Sequence, residues 1–135
     1  MHYRTLGKSN LQVSALCLGT MMFGDQTGQD EAAAIVADAR AQGVNYIDTA
    51  DVYTKGASET MLGSLLKGQR RDWVLATKLG NKMSDRVNEG HYSRSWMLRA
   101  LDNSLQRLQT DHVDILYMHR DVNGMDLEEP LRAID

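Results

Sequence analysis

Four side chains able to hold or move a proton recur at comparable places in the sequence: Asp48, Tyr53, Lys78 and His119. Asp48 closes the short apolar run Asn45-Tyr46-Ile47. Lys78 closes Trp73-Val74-Leu75-Ala76-Thr77, and His119 closes the run from Val113 to Met118. Tyr53 follows Asp48 by five residues and falls in a loop. Singly, each has a plain reading: a turn cap for Asp48, a solvated strand end for Lys78, a satisfied hydrogen-bonder for His119. Together they place a carboxylate, a phenol, an ammonium and an imidazole at the C-terminal ends of successive strands, which is where βα-barrels build their active sites.

The elements that must position them follow from periodicity. Tyr3–Leu6 and Leu11–Val13 flank the turn-rich Gly7-Lys8-Ser9-Asn10 and predict a hairpin. Ser14–Leu18 is short and mainly apolar and predicts a buried strand ended by Gly19-Thr20, with Cys17 as a buried, inert thiol. Ala32, Ile35, Val36 and Ala39 have the spacing of one buried helical face, and Gly43 suits a left-handed cap. Glu59–Leu66 predicts a second helix with Ser58 as N-cap. Ser93 is expected to cap a third helix, with Met97, Leu98, Leu101, Leu105 and Leu108 on its apolar face. Asn81–Tyr92 predicts a long exposed loop, and Asp126-Leu127-Glu128-Glu129 has capping-box spacing ahead of a fourth helix. Strands alternating with helices at roughly 30-residue intervals predict βαβ units and a parallel sheet.

Composition excludes other classes. The 135 residues make about one domain, 1–135. A net charge of −3 offers no basic face for nucleic acid. No apolar run approaches the roughly 20 residues of a membrane span, and the N-terminus lacks a signal-peptide core. One cysteine excludes a disulfide framework and suits a reducing, cytoplasmic setting. No metal site is expected. No G-x-G-x-x-G occurs to support a Rossmann reading.

The order and spacing of several motifs carry a resemblance. Gly43-x4-Asp48-Thr49-Ala50-x2-Tyr53 is followed by Gly56-x-Ser58-Glu59-x2-Leu62-Gly63. With them stand Leu18-Gly19-Thr20-Met21, Thr77-Lys78, Ser104-Leu105-x2-Leu108 and Asp114-x4-His119. This set resembles the aldo-keto reductase family, nearest the branch of potassium-channel β-subunits and bacterial reductases. The resemblance implies an α/β fold, the (β/α)8 barrel, of which this chain would supply the hairpin and about the first four β/α units. A whole barrel takes about 250 residues. It also implies NADPH/NADP+ as cofactor and a small-molecule carbonyl as substrate. Tyr53 would be the general acid, Lys78 the charge that makes it acidic, Asp48 the anchor of Lys78, and His119 the group orienting the carbonyl. A phenol of pKa about 10 is a poor acid at neutral pH, and a nearby ammonium stabilises its phenolate. Gly19, Thr20, Met21 and Asp48 would border the cofactor, and Met22 and Phe23 would wall the substrate.

Activity is expected of the complete barrel, because the family's phosphate-binding and nicotinamide-stacking groups belong to its second half. Two other readings share this fold. One is a cofactor-sensing, non-catalytic subunit. The other is an inactive half-barrel whose open edges are covered by self-association or by a second half.

Overall fold

A short hairpin opens the chain: β1 (Tyr3–Thr5) and β2 (Gln12–Ser14) pair antiparallel, with Tyr3 opposite Ser14. The computed structural model describes every residue from Met1 to Asp135. Asn45 stitches the hairpin to the remainder. Its side chain accepts from the Ser14 N–H (2.7 Å) and donates to the Gln12 carbonyl (3.0 Å). Since Asn45 directly precedes a strand, the hairpin closes the strands' N-terminal end, away from the candidate residues.

Four parallel strands follow, side by side in chain order: β3 (Leu18–Gly19), β4 (Tyr46–Asp48), β5 (Val74–Leu79) and β6 (Ile115–Met118). Parallel neighbours require a long return connection. Helices supply it: α1 (Gln29–Ala41), α2 (Ala57–Leu65) and α3 (Arg94–Leu108) fill the three crossovers, and α4 (Glu128–Ile134) follows β6. Gly43 ends the first helical segment at φ +83, as the sequence requires. Ser93 caps α3, its hydroxyl accepting from the Trp96 N–H at 3.4 Å.

Alternation along the strands divides the sheet into two faces. Ile47 and Leu75 pack with Ala32, Val36 and Leu62 from α1 and α2. Leu79 packs with Tyr92, Trp96, Met97 and Ala100 near and on α3. The opposite face carries Tyr46, Asp48, Lys78 and Tyr117. The hydroxyls of Tyr46 and Tyr117 meet there at 2.9 Å.

Several sequence expectations shift in register. Ser14 belongs to the hairpin, and only Leu18–Gly19 pairs with β4. Cys17 is exposed rather than buried; it alternates with Leu18, which packs against the helix-side core, and so it faces the open side. Ser58 is not the N-cap of α2 but lies buried inside it, Gly56 taking the cap position. On α3 the buried stripe is Trp96, Met97, Ala100, Ser104 and Leu108, and Leu98 is exposed. The segment after β5 is exposed at Lys82, at Asp85–Asn88 and at His91, while Gly90 and Tyr92 are buried. Before α4, Asp126 accepts from the Glu128 N–H, but the Glu129 carboxylate bonds Arg94 instead of closing a capping box. No helix is long and apolar enough to cross a membrane.

Candidate active site

Lys78 is the hub of the site. It lies two residues beyond Ala76, the register partner of Asp48 on the neighbouring strand. Its ammonium donates to Asp48 Oδ2 at 2.5 Å, to the Thr49 carbonyl at 2.9 Å and to Tyr53 Oη at 2.9 Å. All three N–H groups of the ammonium are therefore used. Burial works to lower the pKa of Lys78, but the hydrogen bonds to Asp48 and Tyr53 and their negative charge outweigh it, and the net shift is upward. Lys78 is thus a fixed cation at neutral pH.

Tyr53 is placed by an unusual backbone run. Thr54 and Lys55 have φ of 48° and 53°, and Gly56 follows at 90°. Left-handed geometry costs an L-residue roughly 1–2 kcal/mol, so these residues are held there by their surroundings. The Tyr53 N–H bonds the Ala50 carbonyl and the Lys55 N–H bonds the Val52 carbonyl. The turn aims the phenol back over β5, with Lys78 Nζ 4.6 Å from the ring centroid.

His119 sits one residue past β6, its N–H bonded to the Leu79 carbonyl at 2.9 Å. Its ring meets that of Tyr53 edge-on, centroids 5.8 Å apart and planes at 89°. Nδ1 is buried without a partner. Burial and then the Lys78 charge lower its pKa, against a weaker opposing pull from Asp48. The imidazole is therefore neutral at neutral pH and carries one N–H to give.

A buried polar scaffold lies behind these groups. The Ser58 hydroxyl donates to the Thr20 carbonyl (2.8 Å) and lies 3.0 Å from Thr20 Oγ1 and 3.1 Å from Thr49 Oγ1. It thereby ties α2 to the residues that follow β3 and β4. Glu59, fully buried, accepts from Thr77 Oγ1 (2.6 Å) and from Arg107 Nε (2.7 Å), joining α2, β5 and α3 directly behind Lys78. Asp51 is also fully buried, and neither of its carboxylate oxygens has a hydrogen-bond partner. Burial, and then the Glu59 charge, push its pKa up to about 7. The Val52 backbone, Arg107 and Lys78 pull the other way without making a well-formed bond to it.

Of the residues singled out from the sequence, Asp48, Tyr53, Lys78 and His119 come together at one edge of the sheet. Gly19 pairs in register with Asp48, and Met21 and Met22 are exposed beyond it. Two of these residues are buried. Thr20 is fully buried, and its hydroxyl is engaged by the Asp48 carbonyl (3.1 Å) and by Ser58. Phe23 packs in the helix-side core with Ala32 and Val36. Thr49 and Glu59 entered the sequence reading only as parts of a motif and a helix, without a role in the site, and Asp51 and Arg107 did not enter it. The available signal was their polarity beside or within apolar stretches where each must find a buried partner.

The family model described as "Aldo/keto reductase family" matches residues 15–135. An uncharacterized oxidoreductase of Bacillus subtilis (strain 168), YqkF, is 36% identical over 138 residues, a match covering 100% of this chain and 44% of that protein. Among solved structures, the holo form of the aldo-keto reductase AKR11C1 from Bacillus halodurans matches with a TM-score of 0.89 and 37% identity. That match covers 98% of this chain and 45% of the other. A putative aldo-keto reductase of P. aeruginosa matches with a TM-score of 0.86 and 40% identity, over 98% of this chain and 53% of the other. The chain thus spans about half the length of the relatives it matches, and its fold is that of about half of their (β/α)8 barrel.

Proposed function

This chain belongs to the aldo/keto reductase family, and from that premise we propose that it carries the proton-donating site of an NADPH-dependent carbonyl reductase. The reaction would take an aldehyde or ketone to its alcohol within the whole barrel. One observation carries the reading: Lys78 Nζ stands simultaneously 2.5 Å from Asp48 Oδ2 and 2.9 Å from Tyr53 Oη. A structural ion pair needs no phenol on its third donor, whereas a proton donor that must leave as phenolate does.

Tyr53 gives its proton to the carbonyl oxygen as negative charge develops there. The phenolate that remains accepts from the Lys78 ammonium, and Asp48 keeps that ammonium charged and pointed. His119, neutral, donates its single N–H to the same oxygen and fixes its direction. The phenol recovers its proton from water. General acid catalysis of this kind contributes typically about 10²–10⁴-fold.

The open face beside the four residues fits a flat ring. A Cβ added at Gly19 would meet nothing within 4 Å, and Met21 is exposed next to it. Gly19 and Met21 would hold the nicotinamide ring there, and Asp48 would border it. When bound, NADPH supplies the hydride.

The test is NADPH oxidation with an aromatic aldehyde by the whole barrel that contains this chain, measured together with NADPH binding; the variants below are made in that same protein. Turnover abolished by Tyr53→Phe supports the reading. Tight NADPH binding with no turnover on any aldehyde or ketone would replace it with a cofactor-sensing role.

A further inference from the structure

His119 directly follows the last residue of β6, and its Nδ1 is buried with no partner. No side-chain hydrogen bond through that nitrogen orients the ring. Its direction is therefore set by its backbone and by packing. On one side the backbone is fixed by the His119 N–H to the Leu79 carbonyl at 2.9 Å. On the other side a single side chain grips the peptide groups before and after Arg120. Tyr92 Oη accepts from the Arg120 N–H at 3.0 Å and donates to the Arg120 carbonyl at 2.7 Å.

That hydroxyl behaves as one more rung of a ladder where the strand has ended. The Arg120 N–H belongs to the peptide plane joined to His119, so gripping it fixes the rotation about the His119 Cα–C bond. The ring that delivers the hydroxyl is buried and seated on Gly80. A Cβ at Gly80 would lie 2.0 Å from Tyr92 Cε1, and Gly80 itself has φ +112. The His91 N–H bonds the Gly80 carbonyl at 2.8 Å, which draws the loop back to that point. The segment after β5 thus ends as a strut between the end of β5 and the residue after His119.

We propose that Tyr92 is the positioning residue for His119: its hydroxyl, braced on Gly80, holds the His119–Arg120 peptide so that the imidazole meets Tyr53 edge-on. This rests on the proton-donating site proposed above. Tyr92 makes no hydrogen bond to Tyr53 or Lys78; its two hydroxyl bonds both go to Arg120, next to His119.

Two variants separate the hydroxyl from the ring. Tyr92→Phe removes only the two bonds to Arg120. Gly80→Ala leaves the hydroxyl but displaces the ring. Both should lower kcat for aldehyde reduction about tenfold or more with the Kd for NADPH unchanged. Both should also move the His119 imidazole resonances and raise the midpoint of its titration towards that of an ordinary histidine. The ionisable groups around that ring are Tyr53, Lys78, Asp48 and Arg120. Wild-type kcat with an unmoved His119 titration in Tyr92→Phe overturns the proposal, even if that variant melts earlier. If the wild type reduces no carbonyl, the proposed function falls, and the His119 titration in Tyr92→Phe still decides this inference. A further measurement needs no variant: in the wild type the Arg120 amide should exchange as slowly as the amides of β6. Rapid exchange at Arg120 would overturn the strut.

Discussion

Asp48 faces Ala76 across the β4–β5 register, yet its carboxylate bonds Lys78, two residues farther along β5. The pair is diagonal. Same-face diagonal neighbours lie within reach of a long side chain, and the lysine stem spans that step. A slip of one residue in β5 would send Lys78 to the opposite face, and one in β4 would do the same to Asp48. Strand register is therefore what assembles the site.

Replacing Lys78 by Met should leave the Asp48 carboxylate without its cation. The two side chains are 24% and 18% exposed, so water screens part of the loss. A destabilisation of about 1–3 kcal/mol is expected, between the values for surface and fully buried pairs. Carbonyl reduction should vanish with it. Thermal melts of both proteins check the first part, and a variant that melts like wild type would show the pair to be solvated.

Tyr53→Phe keeps the ring against His119 and removes the hydroxyl bound by Lys78. On the proposed mechanism, turnover should fall by about 10²–10⁴-fold. Affinity for NADPH should stay nearly constant, because the proton moves only as the carbonyl is reduced. Steady-state rates and a fluorescence titration of the cofactor separate these outcomes. Near-normal turnover would remove Tyr53 from the mechanism.

Asp51 should make stability depend on pH. Its pKa rises from 3.8 unfolded to about 7 folded, so the folded state binds more protons between these values. Stability from this group is full below about pH 4, declines as pH rises through about 7, and is flat above that. Asp51→Asn, which cannot ionise, should flatten the decline. Denaturant unfolding at pH 5 and at pH 8 should show a clearly larger gain at the higher pH. Equal effects at both would mean that Asp51 is not held protonated.

Gly63→Ala would ordinarily favour a helix interior by up to about 1 kcal/mol. Here the added Cβ would lie 2.5 Å from the Arg107 carbonyl oxygen and 2.7 Å from the Leu108 carbonyl carbon. Both are backbone atoms and cannot turn aside, so α2 and α3 must separate. The expected result is a loss of about 1–3 kcal/mol, read from the denaturation midpoint. A gain would show that the helices part at little cost.

Much of this was determined along the chain itself. The 3.6-residue spacing of α1, the left-handed cap at Gly43, Ser93 ahead of α3 and the apolar runs before Asp48, Lys78 and His119 each depend on neighbours a few residues away. Local patterns of that kind also placed the reactive types at one edge of a parallel sheet, and the motif spacing pointed to the family. What only the tertiary structure decided concerns partners far apart in sequence. Ser58 reads locally as a helix cap, and it becomes a buried tie because Thr20 arrives beside it from the preceding crossover and Thr49 from the end of β4. Tyr92 reads as loop, and it becomes a strut because Gly80 has no side chain to keep it out. Cys17, expected buried, is exposed because the face on which a side chain lies depends on where the strand pairing begins. That pairing is set by contacts across the sheet and not by the residues on either side.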